Sequence, residues 1–155
     1  MSDIANQKIE LPNDATAWEP CMISAHSVGS GTNIGALSHI GAKVTIGRDC
    51  RIQGSVYIAD GCKIGDDVFI GPNATLTNDR FPPSGGSWKP VVVQNKVVIG
   101  ANATIVAGVV LSSECVVAAG SVVTSDIPQR EVWAGNPAKF MMTLEEYETK
   151  RNLNE

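Results

Sequence analysis

The sequence predicts a repetitive all-β solenoid of short strands, and three observations carry that prediction. An aliphatic residue falls at every sixth position at Met22, Val28, Ile34, Ile40, Ile46, Ile52, Ile58, Ile64, Ile70 and Leu76, then again at Val93, Ile99, Ile105, Leu111, Val117 and Val123. The position four residues later is small or β-branched in nearly every hexad, including Thr32, Ser38, Val44, Cys50, Val56, Cys62, Val68, Ala74, Ala103, Val109, Cys115 and Ser121. The residue directly after the aliphatic one is often Gly or Ala, as at Gly29, Gly35, Gly41, Gly47, Ala59, Gly65, Gly71 and Gly100. A period of six fits neither an isolated helix at 3.6 nor an alternating strand at 2; it suits short strands joined by tight corners. The aliphatic side chain fills the interior, the small residue shares it, and Gly, Asn and Asp at the corners tolerate positive φ. No hexad can bury its core face alone, so stability must come from stacked neighbours.

The chain has 155 residues, enough for one domain with a core, and its 43% hydrophobic content is ordinary for a globular protein. Aromatic residues make up only 5%, in keeping with a narrow interior packed by Ile and Val. A formal net charge of -4 argues against nucleic-acid or membrane partners, which favour a basic surface. The N-terminus MSDIANQKIE lacks an apolar leader region and no apolar run approaches transmembrane length, so the expected location is cytoplasmic.

Residues 1–21 are polar, contain two prolines and show no repeat; they are expected to cap the N-terminal end of a repeat domain spanning residues 22–138. His26 falls on an inward position of the first turn of the repeat and reads as structural. Cys50, Cys62 and Cys115 occupy the small inward position and read as compact hydrophobes, with neither a disulfide framework nor a zinc motif indicated. Cys21 stays undecided. At the other end, residues 139–155 read as a helical cap. Thr143 followed by Glu146 has the form of a capping box, and Phe140, Leu144 and Tyr147 recur on one helical face, giving a helix over residues 144–152.

The repeat fails in one place. The interval from Leu76 to Val93 does not divide by six, and the segment TNDRFPPSGGSWKPVV carries three prolines, two glycines and a Trp. A departure of this kind costs ordering entropy and contributes no stacking contacts, which points to a functional loop over residues 77–92.

The hexads, running from about Met22 to Ala138, resemble the hexapeptide-repeat acyltransferases. That resemblance implies a left-handed parallel β-helix in which three hexads make one triangular coil. VFIGPNATLTNDRFPPS, residues 68–84, is similar to the active-site segment of acetyltransferases acting on nucleotide-linked amino sugars. GANATI (100–105), AGSVVTSDIP (119–128) and AGNPAK (134–139) resemble the acetyl-CoA-binding end of the superfamily. The resemblance further implies a homotrimer with sites between subunits. It suggests acetyl-CoA contacts at Ala101, Ala119, Thr124 and Lys139, with the charge of Lys139 meeting a CoA phosphate. It implies no metal. γ-Class carbonic anhydrases share the fold but use three zinc-binding histidines, and this chain has two.

Maltose and galactoside O-acetyltransferases carry a catalytic His directly before a proline in the equivalent loop, where this chain has Phe81 before Pro82. A sugar hydroxyl needs a general base to remove its proton during attack. A deprotonated amine has its own lone pair and needs only positioning and stabilisation of the tetrahedral oxyanion. The expected function is therefore acetyl-CoA-dependent N-acetylation of an amino sugar. Asn78 reads either as the group orienting amine or thioester, or as a turn-forming Asn. Asp79, Arg80, Tyr57 and Trp88 are assigned to substrate binding. A coil of three hexads stacks His39 in one column with Tyr57 and Thr75, two coils from the loop and roughly 10 Å away. His39 reads either as a site residue or as a solvated His. O-acetylation with His39 as base is the alternative enzyme reading, and a catalytically inactive assembly module is the non-enzymatic one.

Overall fold

The computed structural model describes residues 7–154. Each hexad contributes a two-residue strand whose second member is the aliphatic residue, as in Asn33–Ile34, His39–Ile40 and Thr45–Ile46. Each strand pairs in parallel with the one three hexads away: Arg51 with Phe69, His39 with Tyr57 and Thr45 with Lys63. Three faces result. Face A has nine strands and includes Asn33–Ile34, face B has six and includes His39–Ile40, and face C has five and includes Thr45–Ile46. The three-hexad coil implied by the resemblance is present.

The interior follows the sequence pattern closely. Ile34, Ile40, Ile52, Ile58, Ile70, Leu76, Ile99, Ile105 and Leu111 are buried, as are all twelve small positions. Burial of each such Ile or Leu contributes roughly 1.5–3 kcal/mol. Thr32, polar but buried, is satisfied: its Oγ1 donates to the Gly47 carbonyl at 2.8 Å and accepts from the Cys50 N–H at 3.0 Å. Burial pushes the thiols up, Cys62 to about 11 and Cys115 to about 12. With Cys50 also buried and raised, all three remain protonated and apolar near neutral pH, as their inward positions predicted.

The corners differ from the expectation. Positive φ recurs directly before each small position, at Leu37 (64°), Lys43 (59°), Asp49 (55°) and Ser55 (59°), and it is not reserved for Gly, Asn and Asp. The glycines after the aliphatic residue serve another purpose. A Cβ at Gly35 would collide with the Gly54 nitrogen, and one at Gly100 would lie 2.5 Å from the Ala119 nitrogen. These glycines are required by the approach of the next coil's backbone, not by dihedral freedom.

The N-terminal end also departs from the sequence reading. Lys8–Leu11 pairs antiparallel with Ala15–Trp18, and Ala17 pairs with Ile34, so the first face A strand lies before Met22. Ile23, not Met22, aligns with Ile40, and Met22 is 59% exposed. The step from Ile23 to Val28 is one short of a hexad. This contraction turns Met22 outward and leaves His26 exposed, with Ala25 packed against the core instead. His26 is therefore not the inward structural residue its hexad position suggested.

At the far end the last coil is two residues short of three hexads, since Leu111 bridges to Ile127 and Val116 pairs with Val132. Glu131–Gly135 then turns back antiparallel into Ala138–Thr143. The helix follows at Leu144–Leu153 with both bonds of the Thr143–Glu146 capping box formed. Phe140 lies in the preceding strand and is 53% exposed, so it is not on the helical face assigned to it. Arg130 ties the helix down, donating to Glu145 at 2.7 and 3.1 Å and pairing with Glu114.

Two substitutions separate the corner roles. Gly35→Ala, with no room for the added methyl, is expected to lower the thermal transition. Lys43→Gly, which relieves a left-handed residue, is expected to leave it unchanged or raise it, the gain in stability being at most about 1 kcal/mol. Thermal denaturation followed by circular dichroism measures both, and a reversed order would refute the distinction.

Candidate active-site loop

The insertion lies between Thr75–Leu76 on face B and Val92–Val93 on face C, at residues 77–91. Val92 already pairs with Lys63, so the loop ends one residue earlier than the sequence suggested. The offset between Lys63 and Val92 is 29 where other coils have 18, which makes this an eleven-residue addition to one B–C corner. The Lys89 N–H donates to the Asn78 carbonyl at 2.6 Å, closing the loop at its root as in other compact Ω-type loops. Pro90 rests over Gly61, and the Lys89 stem over Gly108, where a Cβ would lie 3.4 Å away. Glycine on the neighbouring corners thus gives the returning strand a seat.

Side chains fix the rest of the loop. Asn78 Nδ2 donates to the Asp60 carbonyl at 3.2 Å, on the same corner one coil back, and Asn78 Oδ1 makes no hydrogen bond among the described residues. Asp79 accepts from the N–H groups of Phe81 (3.3 Å) and Ser84 (2.9 Å), shaping the tip. Arg80 reaches along the solenoid and donates to the carbonyls of Ala107 (3.1 Å) and Thr124 (3.0 Å). The structure thus brings Asn78, Asp79, Arg80 and Thr124 together on the B–C corner. Phe81 and Trp88 project outward, 82% and 53% exposed.

His39, Tyr57 and Thr75 are successive ladder neighbours on face B, as the three-hexad column predicted. The His39 and Tyr57 rings stack with centroids 4.9 Å apart. Ala101 and Ala119 lie elsewhere, one coil apart on the A–B corner, where the Gly120 N–H donates to the Ala101 carbonyl at 2.8 Å. Within one protomer the residues assigned to acetyl-CoA are therefore split across the two edges of face B. Lys139 is exposed in the C-terminal hairpin, opposite Ala134.

A groove of about 690 Å³ lies away from the loop. It runs from Ala118 and Ala119 to the C-terminal helix over an apolar floor of Val116, Val132 and Met142, with Lys150 and Arg151 beside it. Tyr147 and Asn154 also line it, but the polar residues that the sequence assigned to the acceptor, Asn78, Asp79 and Arg80, stand on the loop, which is the candidate for chemistry. The groove was not legible in the sequence, because it forms only where the helical cap lies beside Ala118 and Ala119.

The profile of the bacterial transferase hexapeptide (six repeats) family matches residues 25–60 and 46–78, and that of the hexapeptide repeat of succinyl-transferase matches residues 90–125. Together they cover more than half of the chain. The chain belongs to the hexapeptide-repeat transferases. Among curated relatives of this hexapeptide-repeat protein, the 2,3,4,5-tetrahydropyridine-2,6-dicarboxylate N-acetyltransferase of Staphylococcus aureus (strain JH9) is 41% identical over 81 residues. That match takes in 52% of this chain and 33% of the relative, so the chain spans about a third of the length of that protein. The acetyltransferase domain of PglB from Neisseria gonorrhoeae, solved with acetyl coenzyme A, superposes with a TM-score of 0.71 at 22% identity, covering 82% of this chain and 57% of the domain. The N-acyltransferase AntD from Bacillus cereus, solved as an S84A mutant with dTDP-4-amino-4,6-dideoxyglucose and coenzyme A, gives 0.68 at 18% identity, covering 92% and 89%. At these identities the two structures establish the fold.

Arg80 is the strut that lays the loop on the coils. Arg80→Ala is expected to speed chymotryptic cleavage after Trp88 several-fold, while the thermal transition, set by coil stacking, moves by about 2 °C or less. Unchanged cleavage would show that the loop does not depend on those two bonds.

Proposed function

We propose that the protein is an acetyl-CoA-dependent N-acetyltransferase whose acceptor is an amino sugar carried on a nucleotide. The observation that carries the reading is the loop root. Asn78 is held by its Nδ2 on Asp60 while its Oδ1 is left free, and no histidine stands in the loop. A fixed carbonyl-type acceptor suits an amine: it takes one N–H and turns the nitrogen lone pair toward an acyl carbon. Attack on the thioester forms a C–N bond and a tetrahedral oxyanion. Collapse breaks the C–S bond, CoA leaves as thiolate, and the proton shed by nitrogen neutralises it. Nothing in this sequence of steps demands a general base on the protein.

The donor reading draws on the family, on the N-acetyltransferase activity in the curated relative's name and on the coenzyme A in the PglB and AntD structures. The acceptor reading draws on the loop motif and on the nucleotide-linked amino sugar in AntD. Ala119 joins the A–B corner to the large groove, whose apolar floor suits the pantetheine and adenine of CoA and whose Lys150 and Arg151 suit its phosphates, together with Lys139. Because Ala101 and Ala119 lie across face B from Asn78 and Thr124, we infer that one donor site is completed by a second copy in a homotrimer. The expected compartment is the cytoplasm.

His39 does not favour the O-acetylation alternative. Its ring lies against Tyr57, two ladder steps from the loop, which suits a binding surface for substrate better than a proton acceptor.

With acetyl-CoA and a panel of nucleotide-linked amino sugars, thiol release with matching amide product is the expected result. Asn78→Ala is expected to lower kcat about 10²-fold, within the range of losing one preorganised polar contact in a transition state. His39→Ala is expected to raise KM with little change in kcat. Abolition of activity by His39→Ala with a lost basic limb in the pH profile would instead support the hydroxyl acceptor, and thiol release from no amine would overturn the reading.

A further inference from the structure

Beneath the loop lies a second, smaller cavity of about 340 Å³, lined by Asp79, Arg80, Phe81, Ser84, Ser87 and Lys89. Ser84 Oγ is shut off from solvent there and makes no hydrogen bond; it is the one such side-chain atom among the described residues. A buried hydroxyl without a partner costs free energy, and a folded protein retains few of them without a reason. The cavity is also cationic. Arg80 is bonded only to backbone carbonyls, Lys89 makes no ion pair among the described residues, and both Asp79 oxygens accept loop N–H groups. One carboxylate thus stands against two cations, a local excess of positive charge on a chain whose net charge is -4.

The loop tip follows Ser84 directly and lies outside the cavity's lining. Gly85 and Gly86 both take positive φ (69° and 106°), and a Cβ at either would meet nothing within 4 Å. Their space opens away from the chain, and their N–H groups donate to no acceptor among the described residues. The Lys89 stem starts over Gly108, and its backbone N–H is fixed to Asn78.

We propose that this cavity is an oxyanion subsite in which Ser84 Oγ and Lys89 receive a phosphate group of a substrate. The orphaned hydroxyl finds its acceptor there, and the two cations find their counter-charge. The transferase reading supplies two sources for that phosphate, the diphosphate of the sugar nucleotide and the phosphates of CoA. The subsite depends on that reading for its source and not for its chemistry.

The test is calorimetric binding to the intact chain, without turnover, of inorganic pyrophosphate, of a nucleoside diphosphate and of CoA. Saturable binding of pyrophosphate is expected, and Lys89→Ala is expected to weaken it about tenfold, the loss of one charge-assisted contact. Lys89→Arg should restore most of it. Ser84→Ala should weaken it several-fold while leaving the thermal transition unchanged or higher, because the lost hydroxyl has no partner in the chain on its own. If both variants weaken the nucleoside diphosphate and spare CoA, the phosphate is the acceptor's; the opposite pattern assigns it to the donor. No binding of any of the three, wild-type affinity in both variants, or a lowered thermal transition in Ser84→Ala would each overturn the proposal. Anion binding lost with N-acetylation intact would sink the subsite alone, whereas anion binding intact with no N-acetylation would sink the transferase reading alone.

Discussion

Successive coils lie one strand spacing apart, about 4.8 Å, because their backbones are joined by parallel ladders. Every other feature of the molecule answers to that distance. Where a glycine follows the aliphatic residue, the next coil's backbone would occupy the place of its Cβ, the Gly54 nitrogen at Gly35 and the Ala101 nitrogen, 2.6 Å away, at Gly71. At Gly41 the space is taken by the Asp60 carboxylate, whose Oδ1 accepts from the Ala42 N–H at 2.9 Å. Close approach and polar satisfaction at the corners are thus one requirement. The left-handed dihedral falls two residues after that glycine position and accepts Leu, Lys, Ser or Glu, since the coil fixes it from both sides.

The same spacing governs what the loop can do. A corner extended by eleven residues cannot join the ladder, so its backbone groups need other partners. Asn78 uses Asp60 one coil back, and Arg80 uses Ala107 and Thr124 further along. The loop therefore lies along the B–C corner with defined contacts at three levels of the solenoid. A rigid stack supplies the precision, and the loop supplies the side chains. In keeping with this division, Asn78 Oδ1 and the buried Ser84 Oγ, both without a hydrogen-bond partner among the described residues, stand in the longest segment that leaves the repeat.

How much of this was legible depends on the range of the interaction. The column of aliphatic residues, the buried thiols, the stacking of His39 beneath Tyr57 and the capping box at Thr143 are consequences of fixed sequence spacings, and each could be read directly. The contraction between Ile23 and Val28 could not, because Met22 and Ile23 are both apolar and only the pairing with Ile40 decides which one faces inward. His26 was misplaced with them, since a slip of one residue exchanges the two sides of a strand. Within the loop, Asn78 stood out by motif and by the missing histidine. Ser84 and Lys89 did not, because an unpaired hydroxyl and an unpaired cation become visible only when the fold has assigned every neighbouring group.

The separation of Ala101 and Ala119 from Asn78 and Thr124 carries the last step. Both pairs sit on corners of one rigid triangular section, and no side-chain motion brings opposite corners of such a section together. A donor molecule touching both must either wrap face B or lie between the corner of one copy and the corner of another. Wrapping would carry the donor across the outward positions of Thr104 and Val122, which lie between those corners on face B. A site between copies needs no such path, and it leaves those positions free to meet a substrate or a neighbouring chain. The fold's rigidity, which makes the corners so regular, is thus the same property that keeps the two parts of the proposed site apart within one copy.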